Sequence, residues 1–376
     1  MKTLIKRAAA LILAAVILLL SGCGVEMLQE MTQTRQMPDE NVVLHRQLRY
    51  FAQEMDRETY LNMCAYYEAA INFEKRCYLP YPMTQTELEQ LITLTRYECP
   101  ELMMLEVSRS FSVYTTNEKA TAVEMPYSMD KQDYEEKLSQ TRSVIDELVE
   151  KCRGLTAAEQ EKLVYDHIVT NSIYDEHAPW AGTAYGCLVE GRAKCDGFSF
   201  AMKWIMEELG IPCMIIAGNP TDGGIGHAWN VIKLDGQWYD LDVTADVSRE
   251  EHGMVTYPAY NVSDSWIRQL YELNSAYERF GDIPGAADMT GSYHGLAGCY
   301  VPEGAEDRLE ELYMEAYEDE SSFVLQFESK EDFEAFEAEI TDRLDMLGRN
   351  KGLHSWSWSV YSIPDYRTIC IHAGKS

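Results

Sequence analysis

The sequence predicts an α+β fold, and three observations carry that expectation. Apolar residues at helical spacing dominate residues 39–153, a helix followed by a two-strand hairpin occupies the centre, and a strand, an amphipathic helix and two more strands close the chain as a small βαββ unit. With 376 residues and 46% hydrophobic content the chain can bury several cores, and its length suggests two or three domains.

The first residues carry Lys2, Lys6 and Arg7 before an apolar run over 8–20 that is too short to span a bilayer. Leu20-Ser21-Gly22-Cys23 resembles the bacterial lipobox. That resemblance implies an export signal over 1–22, acylation of Cys23 as the mature N-terminus, and a protein held at the extracytoplasmic face of the cell membrane. Residues 23–38 are rich in Gln, Glu, Met and Thr without a clear period, and are expected to form a tether.

Region 39–153 is expected to be helix-rich. Leu48, Phe51 and Met55, then Tyr60, Met63, Tyr66, Tyr67 and Ala70, fall at helical spacing, and 86–94 suggests a further helix. Short strands are expected at 110–114 and 120–125, and a helix over 130–152 with Tyr134, Leu138, Ile145 and Leu148 inward. The tyrosine stripe is read as core rather than as a ligand platform.

A central domain is placed at 154–300. Thr156 with Glu159 forms a capping box that opens its first helix. Downstream of Cys195, Phe198, Ala201, Met202, Ile205 and Leu209 line one helix face, and Gly210 and Pro212 stop it, so Cys195 lies at a helix N-terminus. Unsatisfied N–H groups and the positive end of the dipole there favour a thiolate and can receive an oxyanion. Asp235-Gly236 then separates the runs 227–234 and 237–243 as a two-residue hairpin turn. Counting back from that turn pairs Trp229 with Asp242 and His227 with Thr244, which makes His227 and Asp242 diagonal neighbours on one face.

Cys195, His227 and Asp242 therefore supply a nucleophile, a base and an orienting carboxylate in chain order. Their motifs are Gly191-Arg192-Ala193-Lys194-Cys195-Asp196-Gly197-Phe198, Gly226-His227-Ala228-Trp229-Asn230 and Trp238-Tyr239-Asp240-Leu241-Asp242-Val243-Thr244. Over about 155–247 these residues resemble the transglutaminase-like superfamily, whose fold is related to that of papain-like cysteine proteases. The resemblance implies that the three residues are the catalytic triad, with Tyr174-Asp175 and 183–186 leading into the Cys motif. Asp196 stands where relatives more commonly carry Gln or a small residue, and a carboxylate pointing at the thiol would raise its pKa. His167 and His177 are rival bases without a carboxylate on a neighbouring strand, and Tyr185 is a candidate second oxyanion donor beside the Cys195 N–H.

The resemblance implies attack of Cys195 on a protein or peptide amide and an acyl-enzyme. Hydrolysis is favoured over transfer to an amine, because the interval from Cys195 to His227 leaves little chain for a water-excluding lid. Cross-linking, a catalytically silent surface binding module and a substrate-binding lipoprotein for a transporter stay open. With 32 Lys+Arg against 62 Asp+Glu the formal charge is −30, which argues against nucleic acid and favours a neutral or cationic substrate. No Cys-x-x-Cys or His-Glu-x-x-His occurs, so no metal or cofactor is expected. Setting Cys23 and Cys195 aside leaves eight of the ten cysteines that could pair.

The last unit is placed at 306–376. Phe323, Leu325 and Phe327 alternate as a strand, and Ser329 with Asp332 opens a helix whose Phe333, Phe336, Ile340, Leu344 and Leu347 face one way. Trp356, Trp358 and Val360 alternate next, before a closing strand through Ile369 and Ile371. Burial of the two tryptophans under the helix is favoured over a stacking platform.

Overall fold

The computed structural model describes residues 37–106, 112–247, 255–280, 282–353 and 355–375; residues 1–22, where an export signal is expected, and Cys23 lie outside them. Helices and strands are mixed in an α+β arrangement, and the described residues form two compact units that interleave along the chain. Among the described residues no helix is long and apolar enough to cross a membrane.

The first unit takes in Asp56–Leu91 and the described part of Ser110–Met125. Helix Arg57–Ile71 starts where the Asp56 side chain accepts from the Thr59 N–H, and it buries Tyr60, Met63, Tyr66 and Tyr67 as the stripe predicted. It packs on a three-stranded antiparallel sheet whose first strand, Arg76–Met83, is absent from the sequence reading. Pro80 and Pro82 disguise it, since proline cannot donate to a ladder and is confined to edges and bulges. Here the strand lies at the sheet edge and its register shifts between Tyr78 and Met83. The backbone of Tyr81, between the prolines, is satisfied instead by Asn62, whose side chain donates to Tyr81 O at 2.9 Å and accepts from Tyr81 N at 3.0 Å.

The second unit comprises Val43–Met55, Ile92–Arg109 and Pro126–Ser376. At its centre a four-stranded antiparallel sheet runs in the order Gln237–Leu241, His227–Leu234, Cys213–Pro220 and Tyr271–Leu273. Asp235 and Gly236 have φ of 48° and 88°, the left-handed pair that a tight hairpin turn requires. The register set by that turn is the one counted from sequence, with Leu234 opposite Gln237 and Asn230 opposite Leu241.

Helix Cys195–Glu208 packs against the two middle strands and against helices Lys131–Lys151 and Ala157–Asn171, the last opened by the expected capping box. Sequence periodicity marks one apolar face, yet the helix is buried nearly all round, with Phe200, Trp204 and Met206 inside as well as Phe198, Met202 and Ile205. Its two ionic side chains on the second face are neutralised in place. Lys203 Nζ lies 2.8 Å from Glu207 and donates to Cys213 O at 2.6 Å, while Arg49 bridges Glu207 at 3.2 Å and Glu101 at 3.1 Å. Burying such charges is tolerable only when they are paired this way.

The C-terminal strands form a second four-stranded sheet in the order Tyr300–Val301, Ser322–Phe327, Thr368–Gly374, Ser357–Ile363. Tyr300–Val301, parallel to its neighbour, and helix Leu309–Asp319 add to the βαββ pattern read from sequence. Helix Lys330–Asn350 buries Phe333, Phe336, Ile340 and Leu344 on this sheet. Trp356 and Trp358 pack against the same core, and Trp358 Nε1 donates to Asp345 on the helix at 3.2 Å, so the helix covers them as expected.

The nine described cysteines are buried, and Cys77, Cys99, Cys152, Cys187, Cys213 and Cys299 are free thiols. The pairing considered for the eight remaining cysteines does not occur at these positions. Each behaves as a small core hydrophobe.

Candidate active site

Cys195 is the first residue of its helix, preceded by an extended Lys194 that makes no side-chain cap. The N–H groups of the first turn thus have neither an intrahelical carbonyl nor a Lys194 side chain to bond. Close packing holds that turn in place: a Cβ on Gly197 would lie 2.3 Å from Ala181 O and 2.8 Å from Ala193 Cβ, so only glycine lets the helix approach the 181–183 loop. Cys195 is buried, with 8% of the residue exposed.

His227 opens its strand, and its Nε2 lies 2.8 Å from Asp242 Oδ2. That leaves Nδ1 as the ring nitrogen not engaged by Asp242, and Cys195 is the other group that acts on the imidazole. Burial works against the imidazolium, but the Asp242 charge and hydrogen bond together with Cys195 outweigh it, and His227 is pushed up to about 10. Asp242 is fully buried, and its Oδ1 accepts from the Thr244 N–H at 3.0 Å. Asn230, three residues further along the His227 strand, donates to Ser199 O at 3.0 Å and Met214 O at 3.2 Å. It ties the Cys195 helix to the strands that carry the base.

The structure answers the question raised by Asp196. Its carboxylate lies 3.4 Å from Arg96 Nη1 and 3.5 Å from Lys194 Nζ, so two cations balance the charge. Tyr185 donates its hydroxyl to Glu190 Oε1 at 2.7 Å, which commits it elsewhere than an oxyanion hole. Tyr174 packs against Phe198 in the first turn of the helix with ring centroids 6.4 Å apart, and Tyr97 against Phe200 at 6.0 Å. His167 is paired with Asn171 at 3.3 Å and His177 is exposed beside Glu176, so neither rival base is drawn into the cluster.

Residues 142–243 match the family model of the transglutaminase-like superfamily. The chain carries a transglutaminase-like domain. Solved structures similar to it include a TGase at 15% identity (TM-score 0.28, covering 53% of each chain) and a candidate cysteine protease from Cytophaga hutchinsonii at 14% (TM-score 0.27, 48% of this chain and 68% of that one). The periplasmic domain of TgpA from Pseudomonas aeruginosa is 19% identical, with a TM-score of 0.26 over 35% of this chain and 56% of that one. The chain thus spans about half the length of the TGase it resembles. No curated protein matches it.

Two aromatic residues outside the matched segment complete the surroundings of the transglutaminase-like site, and sequence reasoning missed both. Tyr271 stacks on the His227 ring at 4.7 Å and 20°, and on Trp229 at 5.2 Å. Tyr366 donates to Asp242 Oδ2 at 3.0 Å. Neither lies in a motif, because a strand of three residues and a single turn of 3-10 helix leave no periodic trace. Beneath them Trp229 Nε1 donates to Asp240 Oδ1 at 2.7 Å, and burial pushes that carboxyl up to about 7 against the hydrogen bond.

Proposed function

We propose that the chain is a surface-anchored cysteine enzyme that acts on protein or peptide amides through a Cys195-His227-Asp242 triad and an acyl-enzyme, with water as the usual acceptor. The observation that carries this reading is the 2.8 Å contact between His227 Nε2 and Asp242 Oδ2, with Cys195, at a helix N-terminus, as the other group acting on that imidazole.

The Cys195 proton passes to His227 before the attack, and Sγ then adds to the amide carbonyl carbon. The C–N bond then breaks as the imidazolium gives that proton to the departing amine, leaving a thioester. Water, deprotonated by His227, attacks the thioester carbon, and the C–S bond breaks to return the thiol and a carboxylic acid. Asp242 holds Nε2–H throughout and stabilises the imidazolium. The first-turn N–H groups of the helix receive the oxyanion.

The acceptor is decided by incubating the enzyme with a Gln-containing protein and a labelled amine and analysing the products by mass spectrometry. Cleavage or deamidation is expected to exceed label incorporation. Label at Gln in preference to either would make the protein a cross-linking enzyme, and no change of any kind would favour a silent binding module.

Anchoring rests on Leu20-Ser21-Gly22-Cys23. The Cys23→Ser form is expected in the soluble fraction, since the acyl chains supply the membrane affinity. Its retention on membranes after a salt wash would count against lipidation.

A further inference from the structure

Asp242 is a buried carboxylate with three donors around it, and one comes from the far end of the chain. Oδ1 accepts from Thr244 N–H, whereas Oδ2 accepts from His227 Nε2 at 2.8 Å and from the Tyr366 phenol at 3.0 Å. Tyr366 sits in the 3-10 turn Pro364–Tyr366 that joins the last two strands of the C-terminal sheet, well outside the matched segment 142–243. That turn is pinned where it meets the transglutaminase-like domain. The next residue, Arg367, has φ 49°, is 3% exposed, donates to Gln269 Oε1 at 2.6 Å and to Glu328 O, and lays its guanidinium over the Trp266 ring at 4.7 Å. Trp266 in turn stacks with Tyr366 at 6.3 Å.

A second tyrosine closes the arrangement. The hydroxyls of Tyr271 and Tyr366 are 3.2 Å apart. Tyr366 has one proton and gives it to an acceptor-only carboxylate, so Tyr271 must be the donor to Tyr366. The hydrogen bonds run Tyr271 to Tyr366 to Asp242, and the Tyr271 ring meanwhile presses on the His227 face. Bonds in such a chain polarise and strengthen one another in a low-dielectric interior.

We propose that Tyr366 is a positioning residue of the triad: it holds the Asp242 carboxylate in line with His227 Nε2, and the C-terminal unit is thereby part of the active centre. The inference rests on the triad reading above. Burial and the Asp242 charge keep the phenol well above its ordinary range, so it remains a donor wherever the enzyme would work. The charged or titratable groups acting on His227 are Asp242 and Cys195, and those acting on Tyr271 include Asp365 as well.

The test is Tyr366→Phe in the full chain, which keeps the ring and removes the donor. Folding is checked by near-UV circular dichroism, and two readouts follow: kcat and KM on a cleavable peptide, and the His227 ring titration and Nε2 proton resonance by NMR. Loss of a hydrogen bond to a charged group is expected to lower kcat about tenfold with KM little changed. The His227 titration is expected to move upward, because the carboxylate charge is no longer shared with the phenol. A merely structural tyrosine would shift neither the resonance nor the titration, and a folded variant matching the wild type in both overturns the proposal. If the wild type turns over no peptide but its His227 resonance responds to Tyr366→Phe, the positioning role stands and the enzymatic reading falls. Should Tyr366→Phe fail to fold, Tyr271→Phe breaks the outer link and is expected to move the same resonance to a smaller extent; an unmoved resonance would again overturn the proposal.

Discussion

Cys195→Ala is expected to abolish amide-bond turnover while the protein remains folded. The substitution removes only Sγ from a residue at a helix start, so its packing cost is that of one small buried atom, about 1 kcal/mol. The chemical cost is total, because among the described residues Cys195 is the one thiol that acts on His227. Burial pushes Cys77, Cys99, Cys187 and Cys213 up from the ordinary thiol range, which leaves them poor nucleophiles near neutral pH. Iodoacetamide at neutral pH should therefore label Cys195 first in the wild type and label the variant slowly at every site. Both halves are measured together by peptide mapping after a timed exposure, alongside a turnover assay. Full turnover in the purified variant would mean that the nucleophile lies elsewhere.

Asp242→Asn is expected to lower the rate by on the order of 10³–10⁴-fold, through the tautomer and charge of His227 rather than through the fold. With the carboxylate present, His227 is pushed up to about 10 although burial opposes it. A raised imidazole pKa means that the proton is held below the ordinary His range and kept until the pH climbs through the folded value. The wild type therefore retains its imidazolium across neutral pH and loses it, with the associated stabilisation, towards about pH 10. The activity profile should fall along an alkaline limb in that direction. In the Asn variant burial acts without its counterweight, so the imidazole titrates far lower and the limb moves to lower pH. A variant whose limb stays in place would show that Asp242 does not set the charge of His227.

Much of the site was legible because its information is local. The stop at Gly210 and Pro212 and the apolar spacing after Cys195 define a helix that begins at the thiol, and it does. Asp235-Gly236 sets a two-residue turn, and since strand side chains alternate with a period of two, that turn alone determines which residues share a face. The counted register holds as far as Asn230 opposite Leu241; the strand ends there, Thr244 opens a helix instead of pairing with His227, and Asp242 just beyond the ladder still lies 2.8 Å from His227. Capping residues at Asp130, Thr156 and Ser329 likewise mark helix starts through hydrogen bonds made within one turn.

What escaped the reading depends on partners distant in sequence. Strand Arg76–Met83 tolerates its prolines because it ends up at an edge with Asn62 to satisfy Tyr81. The second face of the Cys195 helix carries Lys203 and Glu207, which are buried because Glu98 pairs with Lys203 and Arg49, itself held by Glu101, pairs with Glu207. Asp196 resembles a threat to the thiol until Arg96, a hundred residues upstream, is placed beside it.

The sequence by itself determined the helix that starts at Cys195 and the hairpin register that leads towards His227 and Asp242, since each is written in a turn, a cap or an alternation of a few residues. Only the tertiary structure decided what encloses them. The Tyr271 ring against His227, the Tyr366 phenol on Asp242 and the cations around Asp196 come from segments with no local pattern of their own, and the folded chain alone brings them within hydrogen-bonding reach.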